Sequence, residues 1–366
     1  MKGRAEVLSQ VRRQVTDICH RALNTPAFKA RIVTALRRAV PVDAVFLASA
    51  DPDTLLLTGG ISDAVIRSAA PLFMRNELLE DDVNKFFQLA QARPPVWSLF
   101  AATGGRMAAS ARYREILEPL HLGDELRVAL VSGRLCWGYL CLHREAGSAP
   151  FTSEDAAFLA SLGPLLAEGL RASLMAPRLA VPEPEGGPGL IVLGPELDLA
   201  AANEAARAWL EQTSQDEWHG GQELPIVVQA VAARLRALRR TGEDRDSVIK
   251  SRLRTRSGGW LDVRATWLSG PGMANAVAVV LEPARTPEVL PLIARAHELT
   301  DRELTVVRLV TRGLSTSQLA SQLHISENTV QDHFKSIFDK VGVRSRRELV
   351  AALVGRLYGD SEAPIA

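Results

Sequence analysis

Between residues 300 and 358 the chain spells out four helix starts and two helix stops, and no other stretch limits its fold so tightly. Thr300-Asp301-Arg302-Glu303 reads as a capping box, in which a hydroxyl and a carboxylate each satisfy an amide that the first turn leaves unpaired. Gly313 closes that helix, because glycine accepts the left-handed backbone with which helices end. Ser315-Thr316-Ser317-Gln318 opens a second helix, which stops near His324. Ser326 caps a third, running from Glu327 to about Lys340 and ended by Gly342, and Ser345-Arg346-Arg347-Glu348 opens a fourth. No strand pattern interrupts the segment, which predicts an all-α unit of four helices.

The short turn His324-Ile325-Ser326, between the second and third helices, has the form of a helix-turn-helix. On the third helix Val330, Phe334, Ile337 and Val341 recur at helical spacing and predict one buried stripe. Asn328, Gln331, Asp332, Lys335 and Asp339 fall on the opposite side. A B-form major groove admits one helix, and polar side chains on its outer side can reach base edges. Residues 300–356 hold nine Lys/Arg against six Asp/Glu, a net of +3, although the whole chain carries only +1. Lys340, Arg344, Arg346 and Arg347 concentrate that charge where the third helix ends and the fourth begins, where phosphates could be met. The fourth helix bears Leu349, Val350, Leu353, Val354 and Leu357; one face suits the third helix, and Val350, Val354 and Leu357 could leave a second apolar strip for a two-fold partner.

At 366 residues the chain is long for one domain, and its 47% apolar and 23% charged residues are ordinary for globular units. Two Pro/Gly-rich stretches, Met175–Gly189 and the weaker Glu282–Pro291, divide it. The expected plan is a helix plus first domain at 1–175, a linker at 176–188, a second domain at 189–283 and a linker helix at 284–298. The helical array at 299–358 and a tail at 359–366 complete it. In the first domain, Val7, Val11, Val15 and Ile18 mark a helix stripe, Ala44–Ala50 and Leu55–Thr58 strands, and Ser132-Gly133-Arg134 a hairpin turn before the helix from Asp155 to Leu174. The second has strand candidates at Gly189–Leu193, Leu197–Ala200, Ile249–Arg256, Trp260–Leu268 and Ala274–Leu281, with an arginine-rich helix at Ile226–Arg240 whose run Arg234 to Arg240 reads as a solvated face, a second DNA contact being left open. The fold class is therefore α+β multidomain, with an all-α end.

Several functions are disfavoured. No apolar run approaches the roughly 18 residues of a membrane span, and the N-terminus lacks a secretory apolar region, so a cytoplasmic location is expected. Cys19, Cys136 and Cys141 form neither a disulfide framework nor a CxxC metal pair. No Walker loop, HExxH, GxSxG or kinase signature is present, so no enzyme activity is expected. Trp137, Tyr139, Cys141 and His143 share one strand face, which raises a haem ligand or redox thiol at Cys141 or His143 beside plain packing, and Cys19-His20 reads as a helix face.

From Leu299 to Val350 the residues closely resemble the LuxR-type DNA-binding domain of bacterial response regulators and quorum sensors. The matching pieces are Leu299-Thr300-x-Arg302-Glu303, Gly313-Leu314-Ser315, Ile325-Ser326, Thr329-Val330-x-x-His333, Lys340-Val341-Gly342-Val343 and Ser345-Arg346-x-Glu348-Leu349. The resemblance implies a dimeric, sequence-specific transcription regulator with its third helix in the major groove. Asn328, Gln331, Asp332 and Lys335 would then read bases, while Ser315, Thr316, Thr329, Lys340, Arg344, Ser345 and Arg346 would hold phosphates. Val350, Val354 and Leu357 would pair the two copies, and RNA polymerase is a further partner left open. Gln331 stands where the family often has lysine and Asp332 is acidic, so the base preference need not follow the family's. Residues 20–174 resemble a GAF domain, through Gly138 in the hairpin and Phe151-Thr152-x-Glu154-Asp155. Residues 189–283 resemble a PAS domain, through Gly189-Leu190-Ile191-Val192, Ala202-Asn203-Glu204-Ala205-Ala206 and Ser257-Gly258-Gly259-Trp260. Both resemblances imply sensing or pairing modules, with an unknown small-molecule ligand open and no particular cofactor predicted. The alternatives are a protein-interaction module that does not bind DNA, and a cofactor-binding sensor.

Overall fold

The computed structural model describes residues 3–21, 23–176, 187–213, 224–240, 248–271, 273 and 275–354. The described residues form two units, one within 1–176, 184–253 and 262–282 and the other within 254–261 and 283–366. Most of the expected 176–188 linker and all of the 359–366 tail lie outside the described residues.

The first unit opens with α1 (Arg4–Cys19) and α2 (Thr25–Ala39). Val11, Val15 and Ile18 of α1 are buried, as their spacing predicts, and Val7 is half-buried. At the start of α2 the Ala27 amide donates to Asn24 Oδ1 at 3.1 Å, and Pro26 sits in the first turn, where its missing amide costs nothing. There follow β1 (Ala44–Ala50), β2 (Leu57–Ser62), α3 (Ala64–Ser68), α4 (Ala70–Leu79), α5 (Phe86–Gln91), β3 (Val96–Ser98), α6 (Leu99–Ala102), β4 (Leu122–Ser132), β5 (Leu135–Glu145) and α7 (Ser153–Met175). The five strands make an antiparallel sheet in the order β2-β1-β5-β4-β3. Strand β2 begins later than its sequence pattern suggested and runs through Gly59-Gly60 instead of ending there. The reason is space: a Cβ on Gly60 would lie 3.0 Å from the Phe46 ring and 3.2 Å from the Leu47 carbonyl oxygen, so glycine lets β1 and β2 approach.

Helix α7 lies across β4 and β5, and α5 packs on the opposite face. Alternation along β5 sends Gly138 towards Leu170 of α7 and Tyr139 towards Phe86 of α5, whose ring stacks on it at 4.5 Å. Between sheet and α4–α5 lies a cluster of buried charge. Arg112, with no exposed surface, donates from Nε to Glu125 Oε1 at 2.8 Å and from Nη1 to Asn76 Oδ1 at 3.1 Å. Arg127 donates to Glu77 Oε2 at 2.6 Å, places its Nε 2.9 Å from Glu125 Oε1 and lies 4.4 Å above the Phe86 ring.

A second five-stranded sheet belongs mainly to the same unit. It comprises β6 (Gly189–Leu193), β7 (Leu199–Ala202), β8 (Ile249–Arg254), β9 (Trp260–Trp267) and β10 (Val277–Pro283), in the order β7-β6-β10-β9-β8, with α8 (Glu204–Glu211) and α9 (Ile226–Arg240) between β7 and β8. Strand β7 starts two residues after the predicted Leu197, because Leu197 adopts φ +64° in the turn that the Gly194 amide closes on the Asp198 carbonyl at 2.9 Å. Arg234, Arg239 and Arg240 of α9 are exposed, in keeping with a solvated face, and Arg236 is half-buried. Arg236 donates to the Gly194 carbonyl at 3.0 Å, Arg239 to Asn275 Oδ1 at 2.9 Å and Arg240 to the Leu79 carbonyl at 2.6 Å. The apolar side of α9 packs on α4 and β2. From β8, Arg252 grips Asp51 through two hydrogen bonds of 2.9 and 2.8 Å and reaches Asp53 at 2.6 Å. The two sheets are thus tied by helix packing and a buried ion pair.

The second unit is helical over most of its length: α10 (Thr286–Ala296), α11 (Asp301–Thr311), α12 (Thr316–Leu323), α13 (Glu327–Val341) and α14 (Arg346–Val354). The caps sit where the sequence put them. Glu303 N donates to Thr300 Oγ1 at 3.2 Å while Glu303 Oε2 accepts from Thr300 N at 2.7 Å. Ser315 and Gln318 repeat the arrangement, and Ser326 Oγ accepts from Thr329 N at 3.1 Å. At α14 the reach is one residue longer, with Glu348 accepting from the Arg344 amide at 2.9 Å. Gly313 and Gly342 take φ of +86° and +75°. Val306, Val307, Val310, Leu319, Val330, Phe334, Ile337, Leu349 and Leu353 form the core.

One contact has no counterpart in the cap pattern. Buried Glu303 also accepts from Ser336 Oγ at 2.6 Å and from Lys340 Nζ at 2.7 Å, joining the start of α11 to the last turns of α13. Burial alone would push this carboxyl up, but Lys340, Ser336 and Thr300 outweigh it and hold it at about 2.

Two consequences are measurable. Gly138→Ala would put a methyl 2.3 Å from the Ala48 carbonyl oxygen, so a loss of at least roughly 1–3 kcal/mol is expected in urea unfolding of the first unit. Because the Glu303 carboxyl is depressed from 4.5 to about 2, its contribution is complete above about pH 4.5 and fades as pH falls towards 2. Glu303→Gln should therefore cost on the order of 3 kcal/mol at neutral pH, read as faster amide exchange in α13 of the full chain. The gap to wild type should close in acid; an equal gap at pH 7 and pH 2 would contradict this role.

Candidate nucleic-acid interface

Helix α12 ends because His324 turns into the left-handed region at φ +54°, with the Ile325 amide closing on the Ala320 carbonyl at 3.0 Å. Ser326 then restarts the chain as α13. Val330, Phe334 and Ile337 are buried beneath this helix, and Val341 is half-buried. Asn328, Gln331, Asp332, Lys335 and Asp339 are all exposed. They recur at three- and four-residue intervals, so they form one polar stripe along a rod of about 22 Å. His333 is half-buried at its margin.

The cations around this stripe differ in availability. Lys335 and Arg344 are exposed. The ammonium of Lys340 is held by Glu303, and the half-buried Arg346 donates to the Leu314 carbonyl. Ser315 is exposed at the N-cap of α12 beside half-buried Thr316, and Thr329 Oγ1 lies 2.9 Å from Ser326 Oγ at the start of α13. Ser345 caps α14, donating to Glu348 Oε1 at 3.1 Å. The Arg344 amide and Ser345 hydroxyl hold the Glu348 carboxyl below its usual value. Helix α13 itself carries Glu327, Asp332 and Asp339 against Lys335 and Lys340, a net of −1. Sequence reasoning grouped Lys340 with the phosphate contacts and did not foresee its tie to Glu303; the i-to-i+37 separation leaves no local signal.

Leu349 and Leu353 of α14 are buried, and the helix packs on α10, α11 and α13. Val350 is half-buried; the side chain of Val354, and Leu357 altogether, lie outside the described residues.

Residues considered for a cofactor are in the first unit. Trp137, Tyr139, Cys141 and His143 are each 3% exposed or less. Burial, then the charge of Glu125, pushes the Cys141 thiol well above its usual range, and burial brings His143 down to about 4. Glu125, despite burial, is held at about 2 by Arg112 and Arg127. Cys19 donates to the Leu165 carbonyl at 3.4 Å, and burial raises its thiol to about 12, while the neighbouring His20 is exposed. That pair is a helix surface against α7 and does not converge.

Comparison with known proteins places the helical array. The family described as "Bacterial regulatory proteins, luxR family" matches residues 297–353. Over 69 residues the chain is 46% identical to the nitrate/nitrite response regulator protein homolog of Haemophilus influenzae, covering 17% of this chain and 32% of that protein. Over 81 residues it is 36% identical to the transcriptional regulatory protein DesR of Bacillus subtilis, covering 21% and 41%. The chain thus spans less than half the length of these relatives. A crystal structure of Escherichia coli SdiA aligns over 94% of this chain and 97% of its own at 14% identity, with a TM-score of 0.30. Capped helices, the left-handed turn at His324 and the matched residues together make the C-terminal array a LuxR-type helix-turn-helix domain.

Proposed function

We propose that the chain is a sequence-specific DNA-binding transcription regulator of the bacterial cytoplasm, acting as a homodimer with α13 in the major groove. The observation that carries this reading is the exposed stripe of Asn328, Gln331, Asp332, Lys335 and Asp339 above a buried Val330-Phe334-Ile337 row. The similarity to a response regulator and a transcriptional regulatory protein supports binding and not catalysis. Among the described residues no helix is long and apolar enough to cross a membrane.

In this reading Asn328, Gln331, Asp332 and Lys335 face base edges. Gln and Asn suit adenine, Lys suits guanine, and Asp332 accepts from the cytosine amino group. Ser315, Thr316 and Thr329 lie at helix N-termini, where backbone amides and the helix dipole favour phosphate. Arg344, exposed, is open to phosphate, joined by Ser345. Arg346 and Lys340 reach phosphate only by sharing or exchanging the internal partners they now hold. Val350, Val354 and Leu357 supply the two-fold contact, which sets two reading helices about 34 Å apart. The GAF-like and PAS-like portions sense a ligand or set that spacing, and RNA polymerase is the partner through which spacing affects transcription.

The roles separate in a salt titration of the full chain against a selected duplex and a scrambled one, followed by fluorescence anisotropy. Gln331→Ala and Lys335→Ala should each lose about 1–3 kcal/mol on the selected duplex and broaden base preference. Arg344→Ala should weaken both duplexes alike and reduce the log–log salt slope by about 0.9. Asp332→Asn should strengthen binding to the scrambled duplex. Duplex binding without a steep salt slope, unchanged in all four variants, would favour a protein-interaction module instead.

A further inference from the structure

We propose that Glu125, Cys141 and His143 form a binding site for one divalent transition-metal ion of the zinc type, built between β4 and β5 of the first unit. Glu125 is the register partner of His143, and Arg127 of Cys141, so alternation brings all four to one face of the sheet. One carboxylate oxygen, the thiol sulfur and one ring nitrogen lie within 4.8 Å of one another. The three residues are 1–2% exposed. Among the described residues, Glu125 Oε2 and His143 Nδ1 have no hydrogen-bond partner, although such buried atoms ordinarily find one. Arg112 and Arg127 both address Oε1, and the Cys141 thiol hydrogen-bonds the same carboxylate, a contact that metal binding would replace.

Size selects an ion. Cys141 and His143, with Glu77 and Arg127, line one side of a cavity of about 20 Å³, room for one water-sized body, whose other walls are apolar, among them Phe46, Phe73 and Phe86. Sulfur, imidazole nitrogen and carboxylate oxygen together suit zinc-type ions. Tetrahedral donors stand about 3.5 Å apart, so closure needs side-chain shifts of roughly 1 Å. Glu77 lines the cavity but both its oxygens are engaged, accepting from the Phe86 amide and from Arg127. Three protein donors therefore leave a fourth position for water or an incoming ligand. On binding, the metal–sulfur bond forms as the Cys141 S–H bond breaks and its proton passes to solvent. The cluster of Glu77, Glu125, Arg112 and Arg127 then gains one net positive charge. Cys136 donates to the Gly138 carbonyl from the other strand face and Cys19 to Leu165, so both serve as internal controls.

The full-length chain would be loaded with Co²⁺ or Zn²⁺, both in the folded state and during refolding, desalted and assayed for metal. The site predicts about one ion and one released proton per chain, with thiolate-to-cobalt charge-transfer absorption. That absorption should survive in a Cys19→Ser/Cys136→Ser double variant, while Cys141→Ser loses it and His143→Gln weakens retention at least about tenfold. The proposal is overturned by wild type holding little metal under both loadings, by a full signal in Cys141→Ser, or by its loss in the double variant. If Cys141→Ser does not fold, wild type and the double variant decide. The outcome is independent of DNA binding, so failure here leaves the proposed regulator role standing.

Discussion

A carboxylate taken out of water has to be met by cations or donors, or it returns to solvent and takes its surroundings with it. Three such groups organise this chain. Glu125 sits between two guanidiniums under the first sheet, Asp51 is clasped by Arg252 from the second sheet, and Glu303 joins α11 to α13. Asp51 and Glu303 join elements far apart in sequence, and Glu125 gathers guanidiniums from β4 itself and from the segment before it. Apolar packing would tolerate some sliding there, whereas a paired charge accepts few geometries.

That role limits what the same side chains can do elsewhere. Lys340 is a cation on the face a nucleic acid would approach, yet its ammonium completes the shell of Glu303. Arg346 similarly holds the Leu314 carbonyl at the junction before α12. With α13 itself net negative, the proposed docking would draw its attraction to phosphate from the flanks and the helix N-termini, leaving the stripe from Asn328 to Asp339 to discriminate among bases.

The caps and stops of α11 to α14 were legible because each is a local rule, satisfied within three or four residues. So were the β4–β5 hairpin and the buried stripe of α1. The stretch from α3 to β3 was not, since its short elements have no sustained period and draw their order from Arg112, Asp82 and Glu77, far from it in sequence or turned inward. The start of β2 was missed because glycines were read as a break, when they serve close approach. The arginines of α9 are mostly exposed, as read, but nothing local reveals that Gly194, Asn275 and Leu79 supply acceptors. For the reading stripe, spacing alone gave exposure; the Glu303–Lys340 tie is a matter of tertiary distance.

The Glu303 node bears on how this domain would meet a duplex. Its two oxygens fasten the first turn of α11 to the penultimate and last turns of α13. In the proposed docking, α11 and the C-terminal half of α13 would enter as one tied body. When such a body meets a groove of the wrong width or curvature, adjustment falls to the nucleic acid. Easily kinked pyrimidine–purine steps would then be favoured even at positions that no side chain touches.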